Sequence, residues 1–339
     1  MYVYADNAAT TAMSPAALAA TTEALGACYG NPSSLHSIGQ QAAERLAEAR
    51  AVMAAGLNAK PQEIYFTSGG SEADNQAIVS EALQGAKKGR RHIISTAVEH
   101  HAVLHCLNRL AKEGWDVTLL PVDGDGLVTV EQVEAAIRPD TCLVTVMFAN
   151  NEVGTVMPIG EIGAVCRERG VVFHTDAVQA AGHLPIDVEA MHIDMLSLSA
   201  HKFHGPKGVG LLYVRKGVPL VNLIEGGAQE RGKRAGTENL PGILGMAAAF
   251  QDCLDHMAEN AAYVQGLRDK LIQGLTAIPH SVLNGHPTKR LPGNVNLCFE
   301  GIEGESLLLW LDHYGVAASS GSACTSGSLD PSHVLLALG

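Results

Sequence analysis

Lys202 lies in Ser197-Leu198-Ser199-Ala200-His201-Lys202-Phe203-His204-Gly205-Pro206-Lys207-Gly208, a strand-like end running into a polar turn. A lysine just past a buried strand, flanked by Ser and His, is partly desolvated, which lowers its amine pKa and frees a nucleophile able to form a Schiff base. About one strand–helix–strand unit earlier, Asp176 follows the run Val172-Phe173-His174-Thr175. A carboxylate there suits a pyridoxal cofactor, whose ring nitrogen must stay protonated for the ring to act as an electron sink. Plainer readings stand beside both: a lysine in a surface turn, and an aspartate capping a helix.

Thr67-Ser68-Gly69-Gly70-Ser71-Glu72 runs from strand to helix with glycines and hydroxyls at the turn. Such a turn offers backbone N–H groups and a positive helix end to a phosphate, and no Gly-Lys-Ser/Thr follows to make it a nucleotide loop. In Glu99-His100-His101-Ala102-Val103-Leu104-His105-Cys106, His101 and His105 share one helical face, but no further zinc ligands are evident nearby. His100 is better placed to stack on an aromatic cofactor and move protons. The seven cysteines contain no C-x-x-C pair and are odd in number, which argues against a disulfide framework or a zinc ribbon. Most read as small apolar core residues. Cys324 differs: the five serines and two glycines of residues 318–328 predict a mobile, water-accessible loop and a travelling thiol nucleophile, against the plainer reading of an inert thiol in a small-residue turn.

The elements that must position these groups are legible as short β-branched or apolar runs at 64–67, 92–95, 117–120, 143–147, 171–174, 195–198 and 210–214, alternating with helical segments. This alternation predicts an α/β layered domain with a mainly parallel sheet and sites at the strands' carboxyl ends. Ser14-Pro15 and Ser71-Glu72 mark helix starts, the second opening a run to Ala86, and residues 239–277 read as helical. Beyond Pro279 come a strand at 295–299, an acidic helix near 303–313 and the Gly/Ser-rich stretch. These predict a smaller α+β domain of residues 1–13 and 257–339 beside a large domain of 14–256. Lys87-Lys88-Gly89-Arg90-Arg91 reads as a solvated turn.

The 339 residues carry 23 Lys+Arg against 35 Asp+Glu, a net charge of −12, the wrong sign for a general nucleic-acid binder. With 47% hydrophobic and 17% charged residues the chain is not disordered. No apolar run approaches the ~18 residues of a membrane helix, and no basic, apolar leader precedes Asp6-Asn7, so a cytoplasmic protein is expected.

Together these segments resemble the NifS/IscS-type cysteine desulfurases, pyridoxal-phosphate enzymes of the class V aminotransferase family. The likeness is collinear over essentially the whole chain and adds Tyr4-Ala5-Asp6-Asn7-Ala8-Ala9-Thr10-Thr11, Gly30-Asn31-Pro32-Ser33-Ser34-Leu35-His36, Asn150-Asn151-Glu152 and Arg234-Ala235-Gly236-Thr237-Glu238-Asn239. The long Cys324 loop is similar to the NifS/IscS branch rather than the SufS branch. The resemblance implies the aspartate-aminotransferase-like fold type I. It implies that Lys202 binds pyridoxal 5'-phosphate, Asp176 pairs with the ring nitrogen and Gln179 bonds the phenolic oxygen. Gly70, Ser71, Ser199 and His201 would hold the phosphate, with Thr237 reaching in from the other subunit of a homodimer. His100 would stack and act as acid/base; Asn151 would lie beside cofactor and substrate, and Asn7 and Asn31 at the substrate side. Cys324 would take sulfur from L-cysteine as a persulfide, release L-alanine, and pass sulfur to an iron–sulfur scaffold or other acceptor. No intrinsic metal is implied, though Cys324 is a candidate iron–sulfur ligand shared with a scaffold.

Family members continue some tens of residues past the equivalent of Gly339, through the arginine that grips the substrate carboxylate; the sequence is expected to be a fragment or a truncated enzyme. A selenocysteine lyase, a sulfinate desulfinase or a class V aminotransferase would share the Lys202 and Asp176 chemistry, and a shortened, non-catalytic binding protein is a reading of a different class.

Overall fold

Seven short strands pair into one sheet, and their order determines where the chemistry collects. The structure is a computed structural model that describes residues 2–320 and 332–339. The chain runs β1 (Val3–Tyr4), α1 (Pro15–Ala27), α2 (Ser37–Gly56), β2 (Ile64–Thr67), α3 (Gly70–Lys87), β3 (His92–Thr96), α4 (His101–Lys112), β4 (Asp116–Leu120), α5 (Val130–Ala136), β5 (Thr141–Thr145), α6 (Ile159–Arg169), β6 (Val172–Asp176), β7 (Met195–Ser199) and β8 (Gly210–Val214). It continues through the short α7 (Gln229–Gly232), the long α8 (Leu240–Leu275), β9 (Ser281–Leu283), β10 (Leu297–Phe299), α9 (Gly304–His313), β11 (Val316–Ala317) and α10 (His333–Leu338).

The sheet order is β2-β8-β7-β6-β5-β3-β4, parallel except for β8, which runs antiparallel to both neighbours. Every residue of β3, β5, β7 and β8 is buried, as expected of a sheet covered on both faces by helices. Several strand ends differ from the sequence pattern by one or two residues, and two of these bear on the site. β5 ends at Thr145 rather than at 147, because the Met147 N–H leaves the ladder for the Glu99 carboxylate at 2.9 Å. β6 runs on to Asp176, which still pairs with Ser197 of β7.

Ser14 caps α1 by accepting the Ala17 N–H at 3.1 Å, with Pro15 in the first turn. α1 and α2 pack on α8. Gly245 permits the approach of α1, since a Cβ there would lie 2.1 Å from Thr21 Oγ1. α8 is continuous from Leu240 to Leu275, through the expected junction at 256 and 257.

Outside the main sheet, β1 pairs parallel with β11, and β9 antiparallel with β10. Residues after β9 brace the loop at 150–154: Arg290 Nη2 donates to Val153 O at 3.0 Å, and Asn294 and Asn296 each donate to Glu152 O at 3.0 Å. Cys106, Cys142, Cys166 and Cys253 are buried, and burial pushes their thiols up, to about 11 for Cys106 and Cys253 and about 12 for Cys142 and Cys166. These are packing residues, as their sequence settings predict. No helix among the described residues is long and apolar enough to cross a membrane.

Candidate active site

The carboxyl ends of β2, β3, β5, β6 and β7 open onto one cavity of about 490 Å³. Of the residues singled out from sequence, Gly70, Ser71, His100, Asn151, Asp176, Gln179, Ser199, His201 and Lys202 all line it. This is the position an open parallel sheet gives to ligands. Each element delivers one kind of group.

After β2, the chain turns at Gly69 with φ 156°, a conformation that L side chains rarely adopt, and enters α3. No side chain caps that helix start, so its first N–H groups are left to a ligand, together with the positive helix end. A Cβ on Gly70 would lie 2.6 Å from Val178 Cγ2, so backbone and β6 loop meet there closely. Glu72 in this first turn is held by Arg234 at 2.9 Å; burial opposes its charge, but the guanidinium and the Ser68 N–H keep its carboxyl below the ordinary range.

After β3, His100 caps α4, its Nδ1 accepting the Ala102 N–H at 3.1 Å. A neutral His100 therefore carries its proton on Nε2. After β5, Asn150 accepts the Glu152 and Val153 N–H groups at 2.9 Å each, and this tight loop presents Asn151 and Glu152 to the cavity. At the end of β6, Asp176 is 6% exposed and accepts the Val178 N–H at 2.9 Å. Burial raises its pKa, against the opposing pull of His100, the Val178 N–H and Lys202. Gln179 follows and donates to Ala8 O at 2.9 Å.

After β7, a 3₁₀ turn at Ala200–Lys202 brings His201 and Lys202 to the cavity. The Lys202 ammonium donates to the carbonyls of Ala8 and Ala9, the latter at 2.9 Å. Burial and then Lys202 and Lys207 push the His201 pKa down to about 4, so its ring is neutral; its Nδ1 meets Thr10 Oγ1 at 3.1 Å. The N-terminal segment thus crosses the cavity beside the lysine. The ensemble pairs an amine with a buried acid and an anion-accepting helix start, a set suited to a phosphorylated aromatic carbonyl compound.

Three expected residues lie elsewhere on the single chain. Asn7 is exposed and donates to Tyr4 O at 3.3 Å; Asn31 is exposed and accepts the Ser33 N–H at 2.9 Å. Thr237 is exposed and outside the cavity lining. Cys324 lies outside the described residues. His101 and His105 have ring centroids 5.1 Å apart, and they are not in the cluster of potential metal ligands found among the described residues, which is Asp74, His100 and Asp176.

The sequence reading did not single out Asp74, Glu152, Ser319 or His333 as lining residues. Asp74 had a signal: with Ala73, Ala77 and Ile78 it lies on the buried face of α3, where a carboxyl has no packing reason to be.

The pattern of the Aminotransferase class-V family matches residues 3–339. The protein named Cysteine desulfurase IscS from Clostridium botulinum (strain Hall) is 54% identical over 340 residues, which span 99% of this chain and 85% of that protein. Its namesake from Methanosarcina thermophila is 52% identical over 337 residues, spanning 99% and 83%. Among solved structures, one described as a NifS-like protein is 38% identical with TM-score 0.94, covering 100% of this chain and 90% of its own. Another, described as SspA in complex with cysteine, is 38% identical with TM-score 0.87, covering 99% and 94%.

Proposed function

The chain belongs to the class V aminotransferase family, and from that membership we propose that it is a cysteine desulfurase that uses pyridoxal 5'-phosphate to take sulfur from L-cysteine. The observation that carries this reading is the meeting of Lys202, Asp176 and the uncapped start of α3 in one cavity. Relatives at 52–54% identity over nearly the whole chain bear the name cysteine desulfurase. A structural neighbour was solved with cysteine bound.

The residues fit the cofactor. Lys202 would hold it through Nζ, and Asp176, whose anion is disfavoured by burial but favoured by His100, the Val178 N–H and Lys202, would face the ring nitrogen. Gln179 would meet the phenolic oxygen. The Gly70 and Ser71 backbone, Ser199 and His201 would take the phosphate, and because His201 is neutral it can donate or accept without adding a charge. Thr237, exposed on the single chain, would complete this cradle from a second copy in a homodimer. Bound there, pyridoxal phosphate supplies an electron sink for the carbanion left when the substrate loses its α-proton.

The rest is done by the chain. His100, beside Asp176, is the proton-handling group at the cavity wall, and Asn151 with Glu152 orients the substrate on a loop braced by Asn294 and Asn296. Asn7 and Asn31 complete the substrate side in the assembled dimer. The Cys324 thiolate attacks the substrate sulfur: a new S–S bond forms as the substrate's C–S bond breaks, its electron pair passes to carbon, and the reprotonated product leaves as L-alanine. The Cys324 persulfide is then handed to an iron–sulfur scaffold or another sulfur acceptor, and Cys324 is the thiol through which such a scaffold would share a cluster. The setting is cytoplasmic. The chain is organised as a large domain of residues 14–256 and a smaller one of residues 1–13 and 257–339, the latter drawing support from the pairing of β1 with β11.

The test is release of sulfide and L-alanine from L-cysteine, with a thiol reductant, by the chain loaded with pyridoxal phosphate. Equal amounts of the two products are expected. Cofactor binding with neither product overturns the reading. Cys324→Ser should keep the cofactor's visible absorption and release no sulfide, which separates desulfuration from transamination.

A further inference from the structure

Asp74 is a buried carboxyl at the cavity that the proposed chemistry does not use. It is 1% exposed, and its Oδ1 has no hydrogen-bond partner. Asp74, Asp176 and His100 each bring an oxygen or nitrogen within 4.8 Å of the others. Two carboxyls that close in a buried site do not both ionise; the pair holds a proton between them.

The surroundings decide which one holds it. Asp176 has the Val178 N–H at 2.9 Å and is favoured as an anion by His100 and Lys202. Asp74 faces His174 and Asp176 from β6, Ser197 from β7, and Glu99 from the turn after β3. His174 supplies no charge: its Nε2 is 3.7 Å from Asp74 Oδ1, but burial pushes its pKa down to about 3, and its two nitrogens meet Thr145 Oγ1 at 2.8 Å and Ser197 Oγ at 2.9 Å. Only the Ser197 hydroxyl favours the Asp74 anion, while burial and Asp176 oppose it, joined by Glu99 once alkali ionises that carboxyl. An orphan oxygen is tolerable on a neutral acid and costly on an ion.

We propose that Asp74 is the proton-holding member of a buried acid pair with Asp176, a positioning residue that acts through Asp176 on the cofactor's ring nitrogen. While Asp74 is neutral, Asp176 is the single anion facing the ring. When alkali draws a proton from the site, Asp74 gives up its own first, and the second negative charge strengthens the hold on the ring proton. The part concerning the ring nitrogen rests on the cofactor reading above; the location of the proton does not.

Two measurements on the full chain keep these apart. In the infrared at neutral pH, without added cofactor, wild type should show a protonated-carboxyl carbonyl band that Asp74→Asn lacks and that fades in wild type as pH rises. Identical spectra for the two proteins, or a wild-type band indifferent to alkali, overturn the proposal even if the variant misfolds. In the second, the chain is loaded with pyridoxal phosphate labelled with nitrogen-15 in the ring, and the nitrogen resonance is followed against pH. Asp74→Asn, close in shape but unable to ionise, should lose the ring proton at about tenfold higher proton concentration than wild type. Equal titrations overturn the role, whereas failure of wild type to take up the cofactor at all sinks the cofactor reading and leaves the infrared result to decide the proton.

Discussion

His333 Nε2 donates to the main-chain oxygen of Glu99 across 2.9 Å, joining the first residue of α10 to the turn that carries His100. Its ring also lies 4.7 Å from that of His101. The neighbouring Ser332 hydroxyl donates to the Glu152 carboxylate. Residues 332 and 333, which follow the Cys324 segment in sequence, are thereby fastened to two separate walls of the cavity.

The first consequence concerns that fastening. His333→Ala removes a donor from the carbonyl of the buried Glu99 and a ring from the cavity rim, and should cost about 1 kcal/mol of stability. His333→Gln, which keeps a donor, should recover part of it. Urea unfolding of the three proteins checks the order; a wild-type midpoint for the alanine variant would show that the contact contributes nothing.

Glu230 should be far more costly to alter. Its carboxylate takes both Arg50 nitrogens at 2.7 Å and the Phe66 N–H at 3.0 Å, with side-chain exposures of 2% and 11% for the ion pair. It holds this contact from a left-handed backbone, φ 46°, followed by Arg231 at φ 58°. Removing the charge strands a buried guanidinium and relaxes the strained turn that leads to Arg234 and Thr237. Glu230→Gln should lose about 3 kcal/mol. Replacing Arg50 with Met as well should return most of that, a comparison that denaturant titration reads directly.

What the sequence disclosed, and what it hid, follows from which residues signal by local pattern. Runs such as 64–67 and 210–214 alternate with helical segments and end at turns, so β2 and β8 were legible to the residue. Asp176, His100 and Lys202 were legible because strand ends in such a sheet converge. Asp74 was not, since its partner Asp176 is far away in sequence, at the end of β6, and only helical spacing on α3 points inward. The change of texture that suggests a smaller domain lies beyond Pro279, while residues 256 and 257 fall within the continuous helix α8. Asn7, Asn31 and Thr237 were identified through the family likeness alone, and on one chain they stand at the surface.

Glu81 makes the pH dependence of stability predictable. It is 5% exposed on α3 with an unpartnered Oε1, and burial raises its pKa from 4.5 to about 7 against the weaker pull of Lys88. The folded state therefore keeps a proton that the unfolded chain has released, so this group's contribution is fully present below pH 4.5 and is lost as pH rises to about 7. Glu99, raised by burial to about 8, acts in the same direction. Glu81→Gln should flatten the decline in denaturant stability across that window. An unchanged slope would mean that the carboxyl is ionised in the folded protein.

The anion-accepting turn is open to the simplest steric test. An added methyl at Gly70 meets Val178 Cγ2 at 2.6 Å and Ser199 Cβ at 3.6 Å. Relief requires moving either the start of α3 or the Val178 loop that follows Asp176 at the end of β6, and both adjoin groups that hold the cofactor in the proposed arrangement. Gly70→Ala should therefore weaken pyridoxal phosphate binding about tenfold or more, by loss of directed N–H contacts to the phosphate, with little effect on affinity for pyridoxal, which lacks that group. Gly89→Ala serves as the control. It lies in the solvated turn after α3 with no atom within 4 Å of the added Cβ, and its left-handed backbone, φ 72°, confines the cost to stability. Fluorescence titration with the two cofactor forms distinguishes the cases. If Gly70→Ala weakened both equally, the turn would act through general packing and the phosphate would have to be held elsewhere.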